Sequence, residues 1–222
     1  MKTFQPKLIM IDLDGTLVDS VPDLAYCIDE MMVKLGLQKW GETQVRHWVG
    51  NGVPKLVERA LTGELEGQPI KEVFDVAYPI FLDLYKDNNA QRSYLYDGVR
   101  EGLDYLKSQG YQLGCVTNKL EQFTHPLLKV LGIFNDFKII ISGDTLAKRK
   151  PDPMPLLYCA EHFNLKPEDC LMLGDSVSDV KAARAAGFDI ICMSYGYNHG
   201  NDISVENPDL VIDSMNQLSD HL

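Results

Sequence analysis

Leu8-Ile9-Met10-Ile11-Asp12-Leu13-Asp14-Gly15-Thr16 is the stretch on which the fold turns. Four apolar residues without alternation stop abruptly at two carboxylates and a glycine. Unbroken apolar runs are the pattern of strands buried on both faces of a parallel sheet. The same grammar recurs at Leu113-Gly114-Cys115-Val116 before Thr117-Asn118 and at Leu171-Met172-Leu173-Gly174 before Asp175. It recurs again at Ile139-Ile140-Ile141 before Ser142-Gly143-Asp144, and at Ile190-Ile191-Cys192-Met193 before Ser194. Helical patterns separate these runs at 99–109, 121–131, 155–164 and 177–186, and Gly110, Gly132 and Gly187 stand where a helix C-cap wants a residue tolerant of positive φ. Strand and helix in repeated alternation predict a doubly wound, mainly parallel α/β sheet.

One connection is far too long for a single crossover helix. Between Asp12 and Gln112 the chain reads as four helices, at 22–35, 44–48, 54–61 and 70–87. In the last, Ile70, Val73, Phe74, Ala77, Tyr78, Phe81, Leu84 and Tyr85 form a stripe of period 3.6, with a kink expected at Pro79. The expected organisation is an α/β catalytic core of 1–19 and 90–222 with an α-helical cap, 20–89, inserted after the first strand. Hinges are expected near 17–20 and 88–96, and Ser20-Val21-Pro22-Asp23 reads as a capping box for the first inserted helix.

The 222 residues carry 32 acidic against 21 basic groups, a net charge of −11, which argues against nucleic acid as a partner. Five cysteines without a C-x-x-C pair imply neither a disulfide framework nor a zinc finger. No apolar run approaches the roughly 18 residues of a membrane span, so a cytoplasmic protein that binds no membrane is expected, a monomer or homodimer.

In an open α/β sheet, ligands bind beyond the carboxyl ends of the strands, where the polar residues quoted above fall. Asp12 and Asp14 share one side of an extended chain, and two close carboxylates call for a cation or a shared proton. Asp175 ends another strand, and Asp179, four residues on, lies on the same helical face at a helix start, where capping is the competing role. Carboxylates, a carbonyl and waters suit Mg²⁺. Thr117 and Asn118 stand where they either bind a phosphoryl oxygen or cap the next helix. Lys150, in Lys148-Arg149-Lys150-Pro151, has a backbone restricted by proline that aims its side chain. The five histidines have no ligand spacing, Gly50-Asn51-Gly52 fails G-x-G-x-x-G, and no P-loop is present.

Together these residues resemble the haloacid dehalogenase superfamily, in its phosphatase branch with a helical cap. The matching motifs occur in order: Asp12-Leu13-Asp14-Gly15-Thr16, Thr117-Asn118, Lys150-Pro151, and Gly174-Asp175-Ser176 with Asp179. Within the superfamily the chain is most similar to bacterial phosphoglycolate phosphatases, on Trp48-Val49-Gly50-Asn51-Gly52, Val116-Thr117-Asn118-Lys119 and Tyr195-Gly196-Tyr197-Asn198. The resemblance implies a Mg²⁺-dependent phosphomonoesterase acting on a small phosphorylated metabolite, 2-phosphoglycolate, with Asp12 as nucleophile and Asp14 as acid and base. It implies Asp12, the Asp14 main-chain carbonyl and Asp175 as metal ligands, and Asp179 as a group orienting them. Thr117, Asn118 and Lys150 would bind the phosphoryl oxygens, and Asn51 the rest of the substrate. The alternatives are a phosphatase or phosphomutase for another sugar phosphate or nucleotide, and, in a different class, a receiver-like signalling protein. The latter would need its phosphorylated Asp on a middle strand and no cap.

Overall fold

The computed structural model describes residues 3–222. In chain order the elements are β1 Leu8–Ile11, β2 Val18–Asp19, α1 Val21–Lys34, α2 Glu42–Trp48, α3 Val53–Thr62, α4 Lys71–Asn88, β3 Tyr94–Leu95, α5 Val99–Ser108, β4 Gln112–Val116 and α6 Glu121–Val130. They continue with β5 Ile139–Ile141, α7 Met154–His162, β6 Cys170–Gly174, α8 Val177–Ala186, β7 Asp189–Met193 and β8 Leu210–Ile212. Six strands form one parallel sheet in the order β5-β4-β1-β6-β7-β8. The doubly wound reading is therefore right, with one strand more than the apolar runs suggested. Leu210-Val211-Ile212 is the edge strand opposite β5, and no α-helix announces it after β7.

All four residues of β1 are buried. Ile9 and Ile11 point into a cluster with Val99, Leu103 and Leu127 of α5 and α6; Leu8 and Met10 point the other way, onto Leu156, Cys159 and Ala183 of α7 and α8. A strand sandwiched between helices has no solvated face, which is why the sequence there shows no alternation. Gly110, Gly132 and Gly187 take φ of 82°, 72° and 78° after their helices.

Helices α1–α4 pack on one another around a separate apolar cluster that includes Ile28, Trp48, Val57, Phe81 and Tyr85. On α4 only Ala77, Phe81 and Tyr85 are buried, while Ile70 and Val73 are exposed, so the buried stripe is narrower than its period implied. Pro79 sits inside a helix that runs uninterrupted to Asn88.

The two chain crossings into this helical unit are tied together. Val18 and Asp19 pair antiparallel with Leu95 and Tyr94. Asp23 is fully buried, and Ser20 forms no side-chain cap, so the capping box read from Ser20 and Asp23 is corrected. Instead the Asp23 carboxylate accepts hydrogen bonds from the backbone N–H of Gln91, Arg92 and Ser93 (3.1, 2.9 and 3.0 Å) and from Ser93 Oγ (2.6 Å). The outgoing crossing thus supplies the donors. Hydrogen bonds to a charged acceptor contribute about 1.5–3 kcal/mol each way they are lost. Asp23→Asn, which turns an amide toward those donors, is expected to destabilise the protein by about 2 kcal/mol or more in urea unfolding. A loss under about 0.5 kcal/mol would show that the staple carries no weight.

Candidate active site

β1 lies between β4 and β6 at the point where the strand order reverses, so the carboxyl ends of these three strands bring Asp12, Thr117 and Asp175 together. Above them a cleft of about 80 Å³ is closed from the opposite side by Leu24, by residues 49–53 and by Leu56 of the helical unit. Asp12, Asp14, Asn51, Thr117, Asn118, Lys150 and Asp175 all line it; Asp179 does not.

Lys150 is buried at 3% exposure, and its ammonium is held by three oxygens: Asp12 Oδ1 at 2.8 Å, Asp179 Oδ1 at 2.7 Å and the Val116 carbonyl at 2.6 Å. The two carboxylates beside it raise its pKa despite the opposing effect of burial. Asn118 Nδ2 donates to the Lys150 carbonyl at 2.9 Å, fixing the loop that carries the lysine. Thr117 Oγ1 accepts from the Lys119 N–H (3.2 Å), and the start of α6 is served by Asp144, which accepts from the Glu121 N–H (2.9 Å). Thr117 and Asn118 therefore do not cap that helix.

Asp175 is clamped. Its oxygens accept from Thr16 Oγ1 (2.7 Å) and the Tyr197 N–H (2.8 Å). A Cβ on Gly15 would fall 2.3 Å, and one on Gly196 2.1 Å, from Asp175 atoms, so the carboxylate fits only because both neighbours are glycines. Asp179 makes the capping box of α8. Its Oδ2 accepts from the N–H groups of Asp175 and Ser176 and from Ser176 Oγ, while Oδ1 meets Lys150. Both of its oxygens are thus engaged in fixing Asp175 and Lys150.

Carboxylate oxygens of Asp12, Asp175 and Asp179 lie within 4.8 Å of one another. Burial pushes Asp12 up to about 7, with Lys150 opposing and Asp179 adding to the rise, and drives Asp175 well above the ordinary carboxylate range. When ionised, the four carboxylates (Asp12, Asp14, Asp175, Asp179) outnumber the two ammonium groups (Lys119, Lys150) by two negative charges, which is the state a cation would favour. Only oxygen donors are present, with no thiolate or imidazole in the cluster, so the site fits a hard divalent cation that would neutralise this excess.

Asn51 occupies a left-handed conformation (φ 62°) between Gly50 and Gly52. Its Oδ1 accepts from Arg59 (3.0 Å), a buried guanidinium that also donates to the carbonyls of Trp48, Gly50 and Leu65. Sequence reasoning gave no role to Arg59, to Thr16, or to Lys119 and Tyr85, which meet beside Asp14 (Lys119 Nζ–Tyr85 Oη 2.6 Å). Nothing local marks a lysine or an arginine as buried, since most are solvated. Lys119 and Tyr197 lay within stretches already noted for their similarity, and that was the available signal.

A central strand that ends in Asp12, a buried carboxylate cluster and a buried lysine beneath the helices of the inserted segment agree with the family comparison. The family model "Haloacid dehalogenase-like hydrolase" matches residues 9–193. The chain belongs to the haloacid dehalogenase-like hydrolase family. Among relatives, a phosphoglycolate phosphatase of Nitrosococcus oceani is 60% identical over 218 residues, covering 98% of this chain and 97% of its own. One of Nitrosospira multiformis is 44% identical over 209 residues, covering 94% and 92%. Among solved structures, that of a predicted phosphoglycolate phosphatase from Haemophilus somnus superimposes with a TM-score of 0.91 at 36% identity, covering 97% of each chain.

Proposed function

We propose that this protein is a Mg²⁺-dependent phosphomonoesterase that hydrolyses 2-phosphoglycolate to glycolate and phosphate through an aspartyl-phosphate. The observation that carries the reaction class is Asp12 at the floor of the cleft, 2.8 Å from the Lys150 ammonium and grouped with Asp175 for a cation. The substrate rests on the relatives' names, above all the one at 60% identity over nearly the whole chain.

In this reading Asp12 attacks phosphorus, an Asp12–phosphorus bond forms and the ester P–O bond breaks. Asp14 passes a proton to the departing glycolate oxygen, then takes one from the water that hydrolyses the phosphoenzyme. Lys150, Thr117 and the Asn118 backbone hold the equatorial oxygens, where charge spreads in the transition state. Asp179 orients Lys150 and Asp175 by the hydrogen bonds above. Asp12, Asp175 and the Asp14 carbonyl would hold Mg²⁺, which when bound supplies charge neutralisation between carboxylate and phosphate. We assign 1–19 and 90–222 to the core, and 20–89 to a cap whose Asn51 loop faces the organic part of the substrate and helps exclude water. Among the described residues no helix is long and apolar enough to cross a membrane.

Burial raises the folded-state pKa of Asp12 from 3.8 to about 7 and raises that of Asp175 in the same direction. The folded protein then binds protons that the unfolded chain has lost, so metal-free stability falls through Asp12 as pH rises from about 4 to 7, and Asp175 adds to the fall in the same direction. The raised Lys150 acts only at much higher pH. Thermal melts in EDTA should show this decline. Millimolar Mg²⁺ at pH 8 should reverse it by about 3 kcal/mol if it saturates the site 100-fold over Kd. A flat profile, or no Mg²⁺ response, would count against the cation site.

The function is tested by phosphate release with Mg²⁺ and with EDTA, over 2-phosphoglycolate and a panel of sugar and nucleoside monophosphates. A kcat/KM for 2-phosphoglycolate roughly 100-fold above the rest, about 2.7 kcal/mol of discrimination, supports the assignment. A flat panel overturns the substrate, and release that survives EDTA overturns the mechanism.

A further inference from the structure

Lys119 lines the cleft, and the mechanism above gives it no task. It follows Thr117-Asn118 in the turn after β4, and its backbone is fixed on both sides. Its N–H donates to Thr117 Oγ1 (3.2 Å), and its carbonyl accepts from the Gly143 N–H (2.8 Å). The side chain is 2% exposed. Its ammonium lies 3.1 and 3.2 Å from the two oxygens of Asp14 and 2.6 Å from the hydroxyl of Tyr85. An ammonium has three N–H donors, and three oxygens meet them here.

Tyr85 is fully buried on α4. Its ring packs between Phe81 of the same helix (centroids 5.5 Å apart) and Phe123 of α6 (4.7 Å). Burial keeps its phenol neutral, so the hydroxyl can accept from the ammonium. Asn89, just past α4, donates to the Phe123 carbonyl at 2.8 Å and pins the same helix end. Tyr85 is thus a rigid post, and it reaches Lys119 from the helical unit rather than from the sheet.

We propose that Lys119, steadied by Tyr85, is a positioning residue for Asp14, fixing the carboxylate where it meets the leaving-group oxygen. Straddling both oxygens removes the freedom of the Asp14 side chain to turn, which an ion pair to one oxygen would not do. Two of the three ammonium contacts go to the one Asp14 carboxylate, which sets this role apart from a lysine aimed at the substrate's own carboxylate, and the KM arm below tests that difference. The same contact makes the orientation of Asp14 depend on how α4 is seated against α6.

The inference rests on the reading of Asp14 as the acid, and the experiment separates the two. An alkoxide leaving group needs a proton from Asp14, whereas p-nitrophenolate leaves well without one. Asp14→Asn, Lys119→Met and Tyr85→Phe are compared in single-turnover release from 2-phosphoglycolate and from p-nitrophenyl phosphate, with melting temperatures. Lys119→Met should lose about 100-fold in rate on 2-phosphoglycolate, with KM within about threefold and p-nitrophenol release reduced less than about threefold. Tyr85→Phe keeps the ring and should show the same pattern with a loss of about three- to tenfold, which decides the matter if Lys119→Met does not fold.

If Asp14→Asn shows the leaving-group split and the other two variants lose both substrates equally, the positioning role is overturned and the contact is structural only. A Lys119→Met defect confined to KM for 2-phosphoglycolate overturns it in favour of substrate binding. If Asp14→Asn lowers both reactions alike, the acid role falls, and the positioning role with it.

Discussion

Asp12→Asn is expected to lower phosphate release from 2-phosphoglycolate by at least about 10⁴-fold, roughly 5 kcal/mol of transition-state stabilisation. The amide is close to isosteric with the carboxylate but is a poor nucleophile, and it removes a charge from the carboxylate cluster. The same substitution should raise metal-free stability at pH 8. A pKa moved from 3.8 to about 7 sets roughly 4 kcal/mol against the ionised form in the fold, at about 1.4 kcal/mol per pKa unit. Asparagine avoids that cost while leaving Lys150 its contacts with Asp179 and the Val116 carbonyl. A gain of about 1–3 kcal/mol is expected from denaturant unfolding in EDTA, the remainder being offset by loss of the Lys150 pair. An inactive but more stable protein would identify a group held for chemistry at the expense of the fold. Near-normal turnover would remove Asp12 as nucleophile.

Lys150→Met should be nearly as damaging to activity, about 10³-fold or more, with the opposite sign in stability. Removing the ammonium leaves Asp12 and Asp179 buried without their common partner, and breaking a buried ion pair costs about 3–5 kcal/mol. The pair of variants discriminates: both lose activity, one melts higher and the other lower. In the double variant Asp12→Asn/Lys150→Met the stability loss should shrink, because one of the two stranded carboxylates is gone. A loss equal to that of Lys150→Met alone would show that Asp179, not Asp12, is the partner that matters for the fold.

The order of secondary structure was legible because burial on both faces writes itself into the chain. Ile9 and Ile11 meet α5 and α6 while Leu8 and Met10 meet α7 and α8, so no position in β1 could be polar. Asp12, Thr117, Lys150 and Asp175 were legible for a related reason. Each follows a buried strand or, as with Lys150, directly precedes a proline that restricts its backbone, and parallel topology sends strand ends to one edge of the sheet. Edge strand β8 escaped notice although it matches β5 in length and burial, because no α-helix separates it from β7 and the alternation of strand and helix stops there. Asp23 was misread because an acidic residue three after a serine satisfies the local rule for a cap, whereas its actual donors at 91–93 lie some seventy residues away along the chain.

The alternation of strand and helix, the long helical insertion and the polar residues at the sheet's carboxyl edge are all written along the chain. Those features follow from periodicity and strand direction, which are local or nearly so. Which charges are partners is set by packing. Lys150 serves Asp12 and Asp179, Lys119 serves Asp14 with help from Tyr85, and Asp175 fits between Gly15 and Gly196. A side chain's charge and length are written at its own position, but its burial and its partner depend on residues brought near only by packing. Pairing, and with it the poise of the site, is therefore a property of the fold.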